Sequence, residues 1–316
     1  MRPRMLALFV AVAFAIAAAS RARAQELAAP RLGGYLQVRS TAQEHVGFTT
    51  FINRARLSAD GRIPTRFSYR FLIEYEAAAG AKLPATVSLR EAMIRWQIGS
   101  FLATAGQFKV PFSKEYLVPV PSLETADFAA VVDSLAPKYD VGLSGEYAVG
   151  PYGSVTLGVF NGEGQNATTN RDSVVMAVAR VVARPVAQLS LGGNFARDGA
   201  DSLRWGVEGI VETWGAMVRS EYITRHRQGR ERDGDDFGWY VLGTWRAMPR
   251  ASLLGRVEDF QRPAYGPARR VRGATAGVNL DLTPGRIRLL LEGVRRFTGA
   301  KAAKSDQVLA QLQARF

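Results

Sequence analysis

The chain has 316 residues, 47% of them hydrophobic, no cysteine and a formal net charge of +13. Without cysteine, nothing in the fold depends on disulfides, and past the N-terminus charged residues interrupt every apolar run, which excludes a transmembrane helix. The positive balance points to anionic partners, but the basic residues are spread singly with no basic helix or aromatic nucleic-acid motif, which argues against nucleic acid and for a lined surface.

Residues 1–24 read as a cleavable signal peptide. Arg2 and Arg4 precede the apolar run Met5 to Ala19, and "ARA" at 22–24 fits a small-x-small cleavage site. Removing Arg2, Arg4, Arg21 and Arg23 with it takes the net charge from +13 to +9. Residues 25–316 form one all-β domain.

From there, period-two alternation dominates. In "TRFSYRFLIEYE", Phe67, Tyr69, Phe71, Ile73 and Tyr75 share one face, and Arg66, Ser68, Arg70, Glu74 and Glu76 share the other. A strand separates these sets where a helix would mix them. The alternation predicts strands near 32–40, 48–61, 65–78, 86–98, 101–110, 138–149, 152–160, 174–184, 187–196, 203–213, 215–225, 236–246, 250–260, 270–282, 286–297 and 306–316. Most are longer than the five or six residues usual in globular sheets and suit a tilted bilayer crossing of about nine to eleven.

Short turns such as "GS" at 99–100, "RPV" at 184–186 and "PG" at 284–285 alternate with longer polar loops. That rhythm predicts a transmembrane antiparallel β-barrel of about sixteen strands with both termini on the periplasmic side. Every backbone group in hydrocarbon needs a protein partner, so the sheet has to close. A barrel of this size leaves an aqueous lumen for the polar faces to line. The longest connection, about 111–137, begins where Pro111 removes a ladder donor and ends regular pairing.

Several short motifs then resemble one family, the phosphate-selective porins O and P of Gram-negative outer membranes. They are "GQFKVPFSKE" (106–115), "SLAPKYDVGLSGEY" (134–147), "GVFNGEG" (158–164) and "GVNLDLTPGRIRLLLEGVRR" (277–296). The resemblance implies a homotrimeric passive channel in contact with outer-membrane lipids. It also implies that the long third external loop folds into the pore as its constriction, and that small anions of the phosphate or polyphosphate class pass through. A general, weakly selective porin is the alternative; a barrel enzyme or a surface adhesin fits less well.

The candidate pore-lining and anion-binding residues are Arg54, Arg56, Arg66, Arg70, Arg95, Lys109, Lys114, Arg219, Arg256 and Arg288. Inward Arg or Lys concentrates anions. Against them stand inward carboxylates, among them Glu74, Glu91, Glu208, Glu221, Glu258 and Glu292, and the loop acids Glu115, Glu124, Asp127 and Asp133. Lys109 is read as either a solute contact or a tether for the loop through Glu115 or Asp127. Tyr69, Tyr75, Trp96, Trp205, Trp239 and Trp245 are expected on the outer face. His45 and His226 fall in predicted external loops without metal-ligand spacing. With no nucleophile elbow or dinucleotide loop, catalysis and cofactors are not expected.

Overall fold

The computed structural model describes residues 29–44, 46–63, 66–76, 86–171, 173–199, 202–228, 234–262, 270–298 and 303–316. The expected signal peptide and His45 lie outside these. Sixteen strands form a closed barrel: β1 Arg31–Gln43, β2 Gly47–Ile63, β3 Phe67–Glu76, β4 Thr86–Ile98, β5 Phe101–Lys109, β6 Tyr139–Ala148, β7 Gly153–Phe160, β8 Met176–Val186, β9 Leu189–Asp198, β10 Ser202–Thr213, β11 Ala216–Arg227, β12 Gly234–Met248, β13 Ala251–Gln261, β14 Arg270–Thr283, β15 Ile287–Thr298 and β16 Ala303–Arg315. Each strand pairs antiparallel with its neighbours in sequence, and β1 closes on β16 from Tyr35 opposite Arg315 to Gln43 opposite Gln307. Beyond that seam, Gly34 and Phe316 exchange backbone hydrogen bonds of 3.0 and 3.1 Å.

All sixteen expected strands are present. "RPV" is a correction: Arg184 to Val186 finish β8, and the turn falls at Ala187–Gln188. The apolar set of each strand faces outward, with Leu57, Phe71, Ile94, Trp96, Trp205, Trp239 and Trp245 exposed on the outer wall. Hydrocarbon covers that surface in a bilayer, and a one-residue slip would carry charged side chains into it at about 2–4 kcal/mol for each Arg at midplane.

Several register shifts interrupt the ladders, and two of them bear on the lumen. Gln37 is opposite Arg54 and Val38 opposite Ile52, so Asn53 is an extra residue in β2. Leu72 is opposite Glu91 and Ile73 opposite Leu89, so Arg90 is an extra residue in β4. A bulge places two successive side chains against one partner residue and re-aims them. Here each adds a polar side chain to the lumen.

The connection from β5 to β6 does not leave the barrel. After the last pairing, Val110 N–H to Lys138 O at 3.0 Å, it turns inward and forms α1 (Lys114–Leu117), a 3₁₀ turn (Val120–Ser122) and α2 (Ala130–Leu135). Val110, Phe112, Ala129, Val131, Val132 and Leu135 are almost wholly buried, against Met93, Phe160, Met176, Ile223, Tyr240 and Phe260 of the wall. Each fully buried large side chain contributes about 1.5–3 kcal/mol, enough in sum to hold the loop in the lumen.

Candidate functional site: a loop-narrowed passage

The loop seats itself by a division of labour among the inward polar residues. Wall carboxylates accept its N–H groups: Glu221 from Glu115 at 2.6 Å, Glu292 from Ala126 at 2.7 Å and Glu258 from Ala130 at 2.8 Å. Wall cations and amides donate to its carbonyls: Arg288 to Leu123 at 2.7 Å, Asn279 to Glu124 at 2.7 Å, Gln313 to Pro121 at 3.0 Å and Arg256 to Asp127 at 2.7 Å. Arg39 donates to the Ala126 carbonyl and to both carboxylate oxygens of Asp127, at 3.0 to 3.1 Å. Arg219 reaches Glu124 at 2.7 Å and lies 3.6 Å from Glu115. A buried charge is tolerable only with such partners, and here the partners are the loop backbone and its acids. Burial opposes ionisation of Asp127, but the Arg39 guanidinium more than offsets it and holds the carboxyl below its ordinary range.

These anchors come from β1, β11 and β13 to β16, and the narrowest open space lies against β2 to β6. Three connected spaces define the passage. An external vestibule of about 940 Å³ is lined by Arg54, Asp127, Lys138, Arg262 and Arg296, among others. A periplasmic vestibule of about 540 Å³ is lined by Arg56, Asp60, Arg70, Glu91, Arg95, Lys109 and Arg315, among others. Between them lies an eyelet of about 100 Å³, which shares Arg54 and Lys138 with the outer space and Arg56 and Lys109 with the inner one.

Arg54, Arg56, Arg90, Lys109 and Lys138 line the eyelet against Glu74 and Asp133, a surplus of three positive charges. Three of those cations share one fully buried carboxylate: Glu74 bonds Arg56 and lies 3.4 Å from Arg90 and 3.6 Å from Arg54. Lys138 pairs with Asp133 at 2.7 Å. Aromatic faces support the cations, with Arg56 over Tyr35 at 5.6 Å, Arg90 over Tyr139 at 5.8 Å and Lys109 over Tyr116 at 5.0 Å.

The ten expected lining residues therefore separate. Arg54, Arg56 and Lys109 are in the eyelet and Arg70 and Arg95 in the periplasmic vestibule. Arg70 is paired with Asp60 at 2.9 Å and Glu91 at 2.6 Å. Arg219, Arg256 and Arg288 are corrections: they hold the loop to the wall instead of lining the passage. Arg66 is another, an exposed residue of the turn before β3. Lys114 lines a separate cavity behind the loop. Lys109 does tether the loop, but through the backbone carbonyls of Tyr116 and Val118, not through an acid. Arg90 was missed because strict alternation with Glu91 would point it outward. The signal was there: two successive charges in a bilayer-crossing strand need a bulge to keep both from lipid.

The motifs fall around the loop's two ends. Gly106 has φ +122, and a Cβ there would come within 2.1 Å of the Ala92 carbonyl oxygen, so only glycine fits. Gln107 exchanges two hydrogen bonds with Asn166, at 2.6 and 3.1 Å. Asp140 accepts from Gly162 at 2.7 Å. Gln107 of "GQFK" and Asp140 of "KYD" thus both hold the segment after β7, at Asn166 and at Gly162 of "NGEG". His226 sits at the end of β11, 2.7 Å from Asp235.

A closed sixteen-stranded barrel whose water-lined interior is narrowed by an inward-folded loop is the architecture of an outer-membrane porin. The family model for phosphate-selective porin O and P matches residues 37–196, half of the chain, and the protein belongs to that family. No curated protein sequence matches it. Among solved structures, a loop-deletion mutant of OmpT from Vibrio cholerae superposes with a TM-score of 0.69 at 11% identity, covering 91% of this chain and 99% of that one. The trimer form of in-vitro folded OmpT from the same organism gives 0.64 at 12%, covering 91% and 99%. An anion-selective porin from Comamonas acidovorans also gives 0.64 at 12%, with coverage of 91% and 99%. At these identities the likeness is one of fold, and both fold and family are those of a channel.

Proposed function

We propose that this porin passes small anions by passive diffusion, with phosphate-class oxyanions its preferred solutes. The observation that carries the reading is the eyelet, where five cations face two carboxylates in about 100 Å³. An anion entering it meets a surplus of positive charge at close range, while a cation is repelled. The carboxylates that balance the sequence on paper are largely engaged elsewhere, as acceptors for the loop backbone. The family's description supports the phosphate class, and the anion-selective relative supports the sign.

In this reading the protein is exported to the outer membrane of a Gram-negative bacterium behind the cleavable segment 1–24 and assembles there as a homotrimer; the trimeric OmpT supports the assembly. Arg54, Arg56, Arg90 and Lys109 are the residues that select. The test is reconstitution in a planar bilayer under a salt gradient. An anion-favouring reversal potential is expected, together with block of chloride current by phosphate. A cation-favouring potential overturns the anion channel, and chloride current indifferent to phosphate reduces it to a general porin.

A further inference from the structure

Arg90 reaches the eyelet with the help of a second external connection. The β4–β5 ladder ends where Ala92 faces Gln107. Beyond that pair the buried Gln107 amide takes over, donating to the Leu89 carbonyl at 2.7 Å and the Arg90 carbonyl at 3.3 Å. A bulge leaves its extra residue outside the ladder, so this amide fixes the backbone that aims Arg90 inward. The same Gln107 side chain holds Asn166 of the segment after β7, and Asp140 holds Gly162 through its N–H at 2.7 Å. Asn166 has φ +61, a left-handed conformation that asparagine adopts more readily than most residues.

The segment is thus fixed at two points, to β5 and to β6, and between them stands Gln165. Its Oε1 accepts from Arg90 Nη1 at 2.6 Å. The same guanidinium lies 3.4 Å from Glu74 through Nη2 and over the Tyr139 ring at 5.8 Å. Glu74 also bonds Arg56 and stands 3.6 Å from Arg54, so its one charge is divided among three cations. Gln165 holds the third of them without cancelling it. An amide carbonyl orients a guanidinium but carries no net charge, whereas a carboxylate at 165 would neutralise it.

We propose that Gln165 is a specificity-determining residue of the channel: it positions Arg90 at the eyelet and keeps that charge available to passing anions. The connection after β7 is then a second selectivity loop, acting through one side chain beside the inward-folded one. The inference rests on the eyelet as the anion-selecting site. Without the amide acceptor, the guanidinium turns toward Glu74 and away from the path.

The experiment is the reversal potential across a planar bilayer, with about 0.1 M salt on the dilute side and again near 1 M. Wild type, Gln165→Met, Gln165→Ala and Gln165→Met combined with Arg90→Gln are compared. Methionine keeps the length of the side chain and removes its carbonyl. Thr168→Ala, at an exposed position of the same segment, is the control. A unit charge moved from about 4 to about 8 Å acts half as strongly, so both Gln165 variants should lower the anion-to-cation permeability ratio roughly twofold at low salt and much less at high salt. The Arg90→Gln background should show no further fall, and Thr168→Ala none. An unchanged ratio in Gln165→Met, an equal fall at both salt concentrations, or the same fall in the Arg90→Gln background overturns the positioning, while an anion-favouring wild type leaves the channel reading intact. A cation-favouring wild type overturns that reading and this inference with it.

Discussion

Replacing Arg54 with glutamine removes one charge from the eyelet with little risk to the fold. Glu74, 3.6 Å from Arg54, keeps Arg56 and Arg90 as partners, so no buried carboxylate is left alone. The surplus at the eyelet falls from three to two. At about 4 Å, a unit charge acts on a passing ion with about 1 kcal/mol in bulk water and about 4 kcal/mol at an effective dielectric constant of about 20. The lower figure suits a water-filled lumen, and about 1 kcal/mol is a roughly fivefold change in anion occupancy. The assay is the reversal potential across a planar bilayer, with about 0.1 M potassium chloride on the dilute side, where the Debye length is about 10 Å. The anion-to-cation permeability ratio should drop about fivefold there and much less near 1 M, where the screening length shrinks to about 3 Å. Arg270→Gln is the control, because Arg270 pairs with Asp259 on the exposed outer surface. An unchanged ratio for Arg54→Gln at low salt, or the same change from Arg270→Gln, would refute the electrostatic argument.

Arg90→Gln should lower the permeability ratio as much as Arg54→Gln does, because both guanidiniums stand at the same carboxylate; a silent Arg90→Gln in the same bilayer assay would remove it from the selecting group. Arg256→Ala leaves Glu115 and Glu258 short of a cation, a change costing roughly 3–5 kcal/mol. Larger, noisier single-channel currents and faster proteolysis within residues 111–137 are expected, while the barrel itself keeps its resistance to heat in detergent. Gly106→Ala should cut the yield of folded barrel, scored by heat-modifiable migration on gels, since its Cβ has no room beside Ala92. Asp127 has a folded-state pKa below its unfolded value, so its latch to Arg39 contributes fully above the unfolded pKa of about 3.9 and is lost as pH falls through the lower folded value. Conductance should hold from pH 7 to 5 and loosen below about pH 4, and Asp127→Asn should show the loosened state at every pH.

What was legible in the sequence is what a bilayer enforces. Thr65 to Glu76 had to separate its faces, and the other strands followed the same rule, so strand number, closure and the long third loop could be read directly. The bulges were not legible from alternation alone, since Asn53 and Arg90 look like ordinary members of their strands until the partner's register is known. The fate of the inward arginines was hidden for another reason. Arg256 and Arg288 bond the carbonyls of Asp127 and Leu123, and every residue carries a carbonyl, so no side-chain pattern marks the target. Glu221, Glu258 and Glu292 are the acidic counterpart: in the chain they count against anion passage, and in the fold they are spent on amides.

The anchors for residues 121–127 come from both sides of the seam, Gln313 on β16 and Arg39 on β1, and from β13 to β15. Gln313 and Arg39 come beside each other only when the last strand has found the first, so the seat for residues 121–127 is complete only in the closed barrel, and the contact that removes the sheet's edge also finishes its gate.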